Sequence, residues 1–344
     1  MKAPKVTVLM PVYNGEKYLK DAIESILGQD FTDFEFLIIN DGSTDGSGKI
    51  ISSFSDPRIR IVNNEKNIGL VNSLNKAMEL AFGQYIVRMD CDDISLKNRL
   101  SVQVKYMDAN QNIGASGSYY YLMRNGTKAI ADFPLKEKEI KSFMVFNCPI
   151  AHPSAIIRNS LIKKNNLKYS SDYLHSEDFD FWSRLSEISG LANVSDVLLN
   201  YRVHENQITG SAHLASTRYK SVNALRFRHL KKMGVEPSEK EMLVHNLVSD
   251  GETPASIEQF NEVEQWLKKL VLTNDKKLVL DTNYFQKIIL ERWIRVCFNY
   301  FQGVKGFRYF YRSELYSLTA LTFRSKLELT RTVYYSWKRL KMKN

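Results

Sequence analysis

"VTVLMPVYNGEKYLKDAIESILGQDFTDFEFLIINDGSTDGS", residues 6–47, is the stretch on which the fold turns. Its β-branched head, within "KVTVLMPV" at 5–12, predicts a strand. Residues 16–29 then set Tyr18, Ala22, Ile23, Ile26 and Leu27 on one face at helical spacing. "FEFLIIN" at 34–40 returns to a strand, and "DGSTDGS" has the composition of a turn, with Ser43 or Thr44 able to cap the next helix. The alternation continues through a helical "KIISSF", a strand "RIRIV", an amphipathic "LVNSLNKAMELAFG" and a strand "YIVRM" at 85–89. Strand–helix alternation implies a parallel sheet covered on both faces, whose ligands bind outside the carboxyl ends of the strands. Polar motifs stand at those ends: "PVYN", "NDGSTD", "NEKNIG" and "DCDD".

The last of these, in "RMDCDDIS" at 88–95, crowds Asp90, Asp92 and Asp93 at a strand end. A cap ahead of the next helix accounts for one acid, but three repel one another unless a positive group neutralises them. A solvated acidic loop is one reading. The other is a hard divalent cation, since Mg²⁺ takes carboxylate oxygens together with substrate phosphates. No GxGxxG and no GxxxxGK[ST] occurs, so neither a dinucleotide fingerprint nor a P-loop is present.

At 344 residues the chain exceeds one ordinary hydrophobic core, which predicts a large domain with an appended region. Cys91, Cys148 and Cys297 have no paired spacing, so neither a disulfide framework nor a zinc site is indicated. No run reaches the roughly 18 apolar residues that span a bilayer, and the N-terminus lacks the features of a signal peptide. We therefore expect a cytoplasmic protein, soluble or peripheral on the inner face of the cell membrane.

The four strand-end motifs, in this order and at these intervals, together with "HSEDFDFWSRL" at 175–185, resemble the inverting family 2 glycosyltransferases of the GT-A fold. The resemblance spans roughly residues 4–210. It implies a Rossmann-like, mostly parallel α/β sheet flanked by helices, with a nucleotide-sugar-binding and catalytic domain over 1–210 and a helical C-terminal region over 211–344. It further implies that Tyr13 and Asp41 hold the nucleobase, with Asn67 and Gly69 in a loop near it, that Pro11 belongs to the nucleotide-sugar site, and that Asp90 contacts the ribose or assists the metal. A carboxylate accepting the uracil imide N–H beside a stacked ring is sensible chemistry for that role. Asp92 would ligate Mg²⁺ or Mn²⁺, His204 would join it or touch the diphosphate, and Arg202 would support it. Asp93 reads as a cap or supporting acid.

By the same resemblance, one acid of the Glu177–Asp178 pair is the catalytic base. An inverting transfer needs a carboxylate that takes the acceptor hydroxyl proton as the oxygen attacks the anomeric carbon. We assign it to Asp178, with Glu177 orienting the base or the acceptor and Asp180 facing elsewhere on the helix. His152, in "CPIAHPSAIIR", is either an acceptor contact or a histidine at the entry to a strand. The implied activity is metal-dependent transfer of a hexose-type sugar from a nucleotide-sugar, UDP-linked, to a saccharide acceptor on a lipid carrier in surface-polysaccharide assembly. Direct transfer to a polyprenyl phosphate is the alternative within the fold. A noncatalytic sugar-nucleotide or RNA-binding protein is the alternative outside it, and it leaves the two acid groups without a joint purpose.

The tail matches nothing as closely. Residues 285–344 hold 13 Lys and Arg against 3 Asp and Glu, the entire net charge of +10, and 14 of the 40 aromatic residues, among them Trp293, Phe298, Tyr309, Phe310, Tyr311, Tyr334, Tyr335 and Trp337. Such a stretch suits a helical subdomain with an aromatic core, a second copy of the chain, or docking on an anionic membrane surface, which we expect here. No RNA-binding motif accompanies it.

Overall fold

The structure, a computed structural model, describes residues 3–204, 212–302, 304–322, 325–331 and 334. Its strands are β1 (Val6–Val12), β2 (Phe34–Asn40), β3 (Ile59–Asn63), β4 (Tyr85–Arg88), β5 (Ile94–Ser95), β6 (Ile113–Arg124), β7 (Thr127–Ala131), β8 (Ile156–Arg158) and β9 (Gly190–Arg202). The α-helices are α1 (Glu16–Leu27), α2 (Ser47–Ser52), α3 (Leu70–Leu80), α4 (Arg99–Ala109), α5 (Glu137–Phe143), α6 (Asn159–Asn165), α7 (Glu177–Leu185), α8 (Ala212–Lys232), α9 (Glu239–Asp250), α10 (Ile257–Lys277), α11 (Thr282–Phe301), α12 (Val304–Arg312) and α13 (Glu314–Leu318). The chain divides into two compact units, residues 1–137 with 148–222 and residues 138–147 with 223–344. The division thus falls twelve residues beyond the expected 210. The short segment 138–147 goes with the second unit because Val145 and Phe146 belong to that unit's apolar core.

The first unit is a single sheet in the order β3-β2-β1-β4-β8-β6-β9-β5, with β7 added on β6. Strands β3, β2, β1 and β4 are mutually parallel, as the alternation predicts. Beyond β4 the sheet is mixed: β8 runs antiparallel to both β4 and β6, while β6 and β9 are parallel. The sheet is thus parallel over β3-β2-β1-β4 and mixed beyond, in keeping with the expected Rossmann-like α/β class flanked by helices. The regular alternation ends at residue 89: β5 follows β4, and β7 follows its antiparallel partner β6, with no helix between, while α4 separates β5 from β6 and α6 and α7 separate β8 from β9. Val6, Val8, Met10 and Val12 of β1 pack with Leu19, Ala22, Ile23 and Ile26 of α1 in the core. Each fully buried aliphatic side chain there contributes about 1.5–3 kcal/mol.

The second unit is helical. Val263, Leu267, Leu270, Phe285, Ile289, Trp293, Ile294, Phe298, Phe310 and Leu315 are all fully buried in one cluster. Ser238, Ser256, Asp281 and Ser313 cap its helices, each accepting a backbone N–H from the first turn. The aromatics of the basic tail thus include much of this unit's core, while Tyr309 and Tyr311 are exposed. Tyr335, Trp337, Lys338 and Arg339 lie outside the described residues. No described helix is long and apolar enough to cross a membrane.

Candidate active site

Strand register brings the polar motifs together. Val12 pairs with Asn40, Asn40 with Asn63, and Leu9 with Arg88, so the residues that follow β1, β2, β3 and β4 emerge at one edge of the sheet. Pro11 is buried inside β1, and Tyr13, just beyond it, is 49% exposed. Asp41 is buried and organises the third motif: Oδ1 accepts from Asn64 Nδ2 at 2.8 Å and from the Ile68 N–H at 3.0 Å, and Oδ2 accepts from the Gly69 N–H at 3.0 Å. Asn67 Oδ1 also accepts from the Gly69 N–H, at 2.8 Å. Gly42 lets the two loops touch. Its φ is +66°, and a Cβ there would stand 2.5 Å from the Lys66 carbonyl carbon.

Carboxylate oxygens of Asp90, Asp92 and Asp93 lie within 4.8 Å of one another. Asp90 pairs with Arg88, a buried arginine at the end of β4. Asp92 Oδ2 lies 3.0 Å from His204 Nε2. Asp93 is fully buried. Its Oδ1 accepts the Arg202 N–H at 3.0 Å, and its Oδ2 is buried without a hydrogen-bond partner. Burial, reinforced by the charges of Asp90 and Asp92, pushes the Asp93 carboxyl well above the usual carboxylate range. It is not a helix cap, because the next helix begins at Arg99 with Asn98 as its N-cap. Three crowded hard oxygen donors, an adjacent imidazole and one orphaned buried carboxylate oxygen fit a divalent cation such as Mg²⁺ or Mn²⁺.

Helix α1 steadies the far side of this cluster. The Tyr18 ring packs 4.7 Å from the His204 ring and 5.0 Å from the Arg202 guanidinium, whose Nη2 donates to Asp21 Oδ2 at 2.7 Å.

Glu177 and Asp178 open α7, anchored by Phe179, Phe181, Trp182 and Leu185, all buried. Asp178 Oδ1 accepts from the Phe179 N–H at 2.7 Å, and the Cys148 thiol lies 3.6 Å from Oδ2. Burial raises the pKa of both carboxyls, and burial aided by the charge of Asp178 brings Glu177 up to about 7. Burial raises the pKa of Asp90, against the pull of Arg88, and the charges of Asp92 and Asp178 add to the rise, so Asp178 lies within electrostatic reach of Asp90. Asp180 instead binds Arg184 one turn on, with Nε at 2.8 Å. His152 is buried, with its Nε2 2.9 Å from the Tyr169 hydroxyl and its ring edge-on to Trp182. It sits in a short 3₁₀ turn, His152–Ser154, ahead of β8.

Three contributors escape a motif reading. Arg88 lies inside what reads as an apolar strand, where a lone arginine is the signal. Arg99 is fully buried, donates to the Arg88 carbonyl at 2.7 Å and to Gln103 Oε1 at 3.1 Å, and burial lowers its pKa to about 9. Cys148 carries no sequence signal for its place beside Asp178.

A half-parallel, half-antiparallel sheet with acids following its fourth strand is the GT-A architecture of glycosyltransferases. Staphylococcus aureus TarS, in a structure of residues 1–349 with UDP-GlcNAc, shares the fold at a TM-score of 0.59 and 17% identity, covering 97% of this chain and 92% of that one. Residues 7–165 match glycosyl transferase family 2. A glycosyltransferase of Methanocaldococcus jannaschii is 37% identical over 211 residues, 59% of this chain and 72% of its own length. Escherichia coli WfgD, a UDP-Glc:alpha-D-GlcNAc-diphosphoundecaprenol beta-1,3-glucosyltransferase, is 26% identical over 208 residues, 60% of this chain and 80% of its own length. The chain belongs to glycosyl transferase family 2 and is a glycosyltransferase.

Proposed function

We propose that the enzyme transfers a hexose-type sugar from a UDP-sugar, with inversion and with Mg²⁺ or Mn²⁺, to a saccharide acceptor on a lipid carrier in surface-polysaccharide assembly. The donor and acceptor classes of WfgD and the UDP-GlcNAc bound by TarS support the choice. The observation that carries the reading is the half-buried Asp178 at the head of α7, whose charge reaches Asp90 of the acidic cluster. Asp92 and His204 would hold the cation, whose charge would stabilise the departing diphosphate. Tyr13 would stack on the base, with Pro11, Asn67 and Gly69 shaping its pocket and Asp41 accepting an imide N–H. Asp90 would contact the ribose, and Arg202 would support the diphosphate side. Asp178 would take the acceptor proton, with Glu177 orienting it; His152 would shape the acceptor side through Tyr169. A carboxylate base in this place favours a hydroxyl acceptor over a polyprenyl phosphate, whose oxygen is already charged. A lipid-linked acceptor would bring the enzyme to the cytoplasmic face of a membrane.

The test is thermal unfolding of the purified protein against a panel of nucleotide sugars, because a ligand of the native state raises its apparent stability. UDP-sugars should raise the midpoint with Mg²⁺ or Mn²⁺ and fail to do so in chelator. A shift by another nucleotide class, or one indifferent to chelator, would overturn the donor or the metal assignment respectively.

A further inference from the structure

Helix α12 has one face that the fold covers and one that it leaves charged. Gly306 is buried against α11, where a Cβ would meet the Cys297 carbonyl oxygen at 2.7 Å and Phe298 Cα at 3.0 Å. Phe310 is fully buried, and the Phe307 ring lies 4.5 Å from that of Phe298. These contacts fix the rotation of the helix. Lys305, Arg308, Tyr309 and Arg312, spaced i, i+3, i+4 and i+7, then share the opposite face, and all four are exposed. Tyr311 is exposed beside them, and α12 contains no acidic residue.

Several cations elsewhere in the second unit are neutralised. Arg226 pairs with Asp250, Lys240 with Glu262, Lys269 with Glu241, Lys287 with Glu139 and Arg295 with Glu291. Among the described residues, Lys305, Arg308 and Arg312 form no ion pair. The helix thus concentrates three unpaired cations and two exposed phenols on a surface whose apolar side is already occupied by core.

We infer that this face of α12 docks electrostatically on an anionic lipid surface, through phosphate headgroups. The inference deepens the proposed lipid-linked acceptor, on which it rests for its purpose. Basic side chains near an anionic leaflet draw a protein to it, and tyrosine favours the headgroup level. Single-stranded RNA is the other polyanion to consider. It needs open aromatic faces for base stacking, whereas the Tyr309 ring is covered on one side by Phe301, parallel within 4° at 3.7 Å.

The experiment is co-sedimentation of the full chain with phosphatidylglycerol–phosphatidylcholine vesicles and with pure phosphatidylcholine vesicles. The native protein should bind the anionic vesicles only, and more weakly at high salt. Each Lys or Arg at such a surface is worth about fivefold in affinity, so a K305Q/R308Q/R312Q variant should lose on the order of a hundredfold. Unchanged metal-dependent donor binding and an unchanged unfolding midpoint would show that variant to be folded. Vesicle binding equal to the native protein's in this variant would overturn the inference. So would a loss confined to a K338Q/R339Q variant, or an oligoribonucleotide that binds more tightly than the vesicles and loses affinity through the same three substitutions. Vesicle binding needs neither donor nor acceptor, so a wrong activity assignment would appear as absent transfer with vesicle binding intact.

Discussion

Replacing Glu177 by Gln removes a carboxyl whose burial opposes its ionisation. Glu177 is 7% exposed at the head of α7, and burial together with the neighbouring charge of Asp178 raises its pKa from 4.5 to about 7. Between those two values the folded chain keeps a proton that the unfolded chain releases, so this group's contribution to stability falls as pH rises through the window. Below pH 4.5 both states are protonated and the penalty vanishes; above about pH 7 both are ionised and it is complete, at about 3 kcal/mol. Gln has no such penalty. Relative to the native protein, Glu177→Gln should therefore gain stability between pH 5 and pH 8. For a unit of this size that corresponds to a relative rise in unfolding temperature of roughly 6–12 °C. Thermal unfolding in chelator at the two pH values reads it directly. Comparing the variant-minus-native difference at each pH cancels most other titrating groups. A difference that is the same at pH 5 and pH 8 would refute the claim that this carboxyl is buried and reluctant to ionise.

Asp92→Ala should abolish the metal-dependent part of UDP-sugar binding while leaving the circular dichroism spectrum unchanged, and retained metal dependence in calorimetry would remove Asp92 from the cation site. Asp178→Asn keeps the shape but cannot accept a proton, so single-turnover measurements should show donor affinity within about threefold of native and transfer reduced by at least about a hundredfold. Should Glu177→Gln lose transfer and Asp178→Asn keep it, the base is Glu177; normal turnover in both supports the polyprenyl phosphate acceptor. Gly42→Ala places a side chain at positive φ against the backbone of Lys66, so urea titration should show a loss of about 1–3 kcal/mol, and a neutral result would mean that the two loops can separate without cost.

The parallel half of the sheet was legible because β1, β2 and β4 are buried, β-branched runs and α1 and α3 carry apolar residues at helical spacing. The antiparallel half was not, for reasons visible in β6. Its first residues, "IGASGS", are buried yet small, and a Cβ on Gly114 would meet Ser189 Oγ at 2.1 Å while one on Gly117 would meet Asn193 Oδ1 at 2.3 Å. Small residues let this strand run close to its neighbours, and their lack of apolar alternation hides it. Strands β5 and β8, of two and three residues, are too short for any periodicity. The acids at 90–93 announced themselves by crowding. Arg88, which pairs with one of them, is masked by the apolar run around it, and Cys148 reaches Asp178 only through a loop that no local pattern describes. In the tail, composition could not separate Phe285, Trp293, Phe298 and Phe310, which are core, from Tyr309 and Tyr311, which are surface.

Asp41 ties the reading of the base to the reading of the loop. A carboxylate offers about four acceptor positions. Asn64 and the Ile68 N–H take two at Oδ1, and the Gly69 N–H takes one at Oδ2. One position remains, enough for a single N–H. Under the proposed function that one position suits uracil, which presents a single imide donor at N3. Gly69 leaves room beside it: its φ is +87°, and nothing stands within 4 Å of where a Cβ would be. The same carboxylate tethers the 64–69 loop and, under the proposed function, would supply the acceptor, so donor binding and loop geometry should change together when Asp41 is altered.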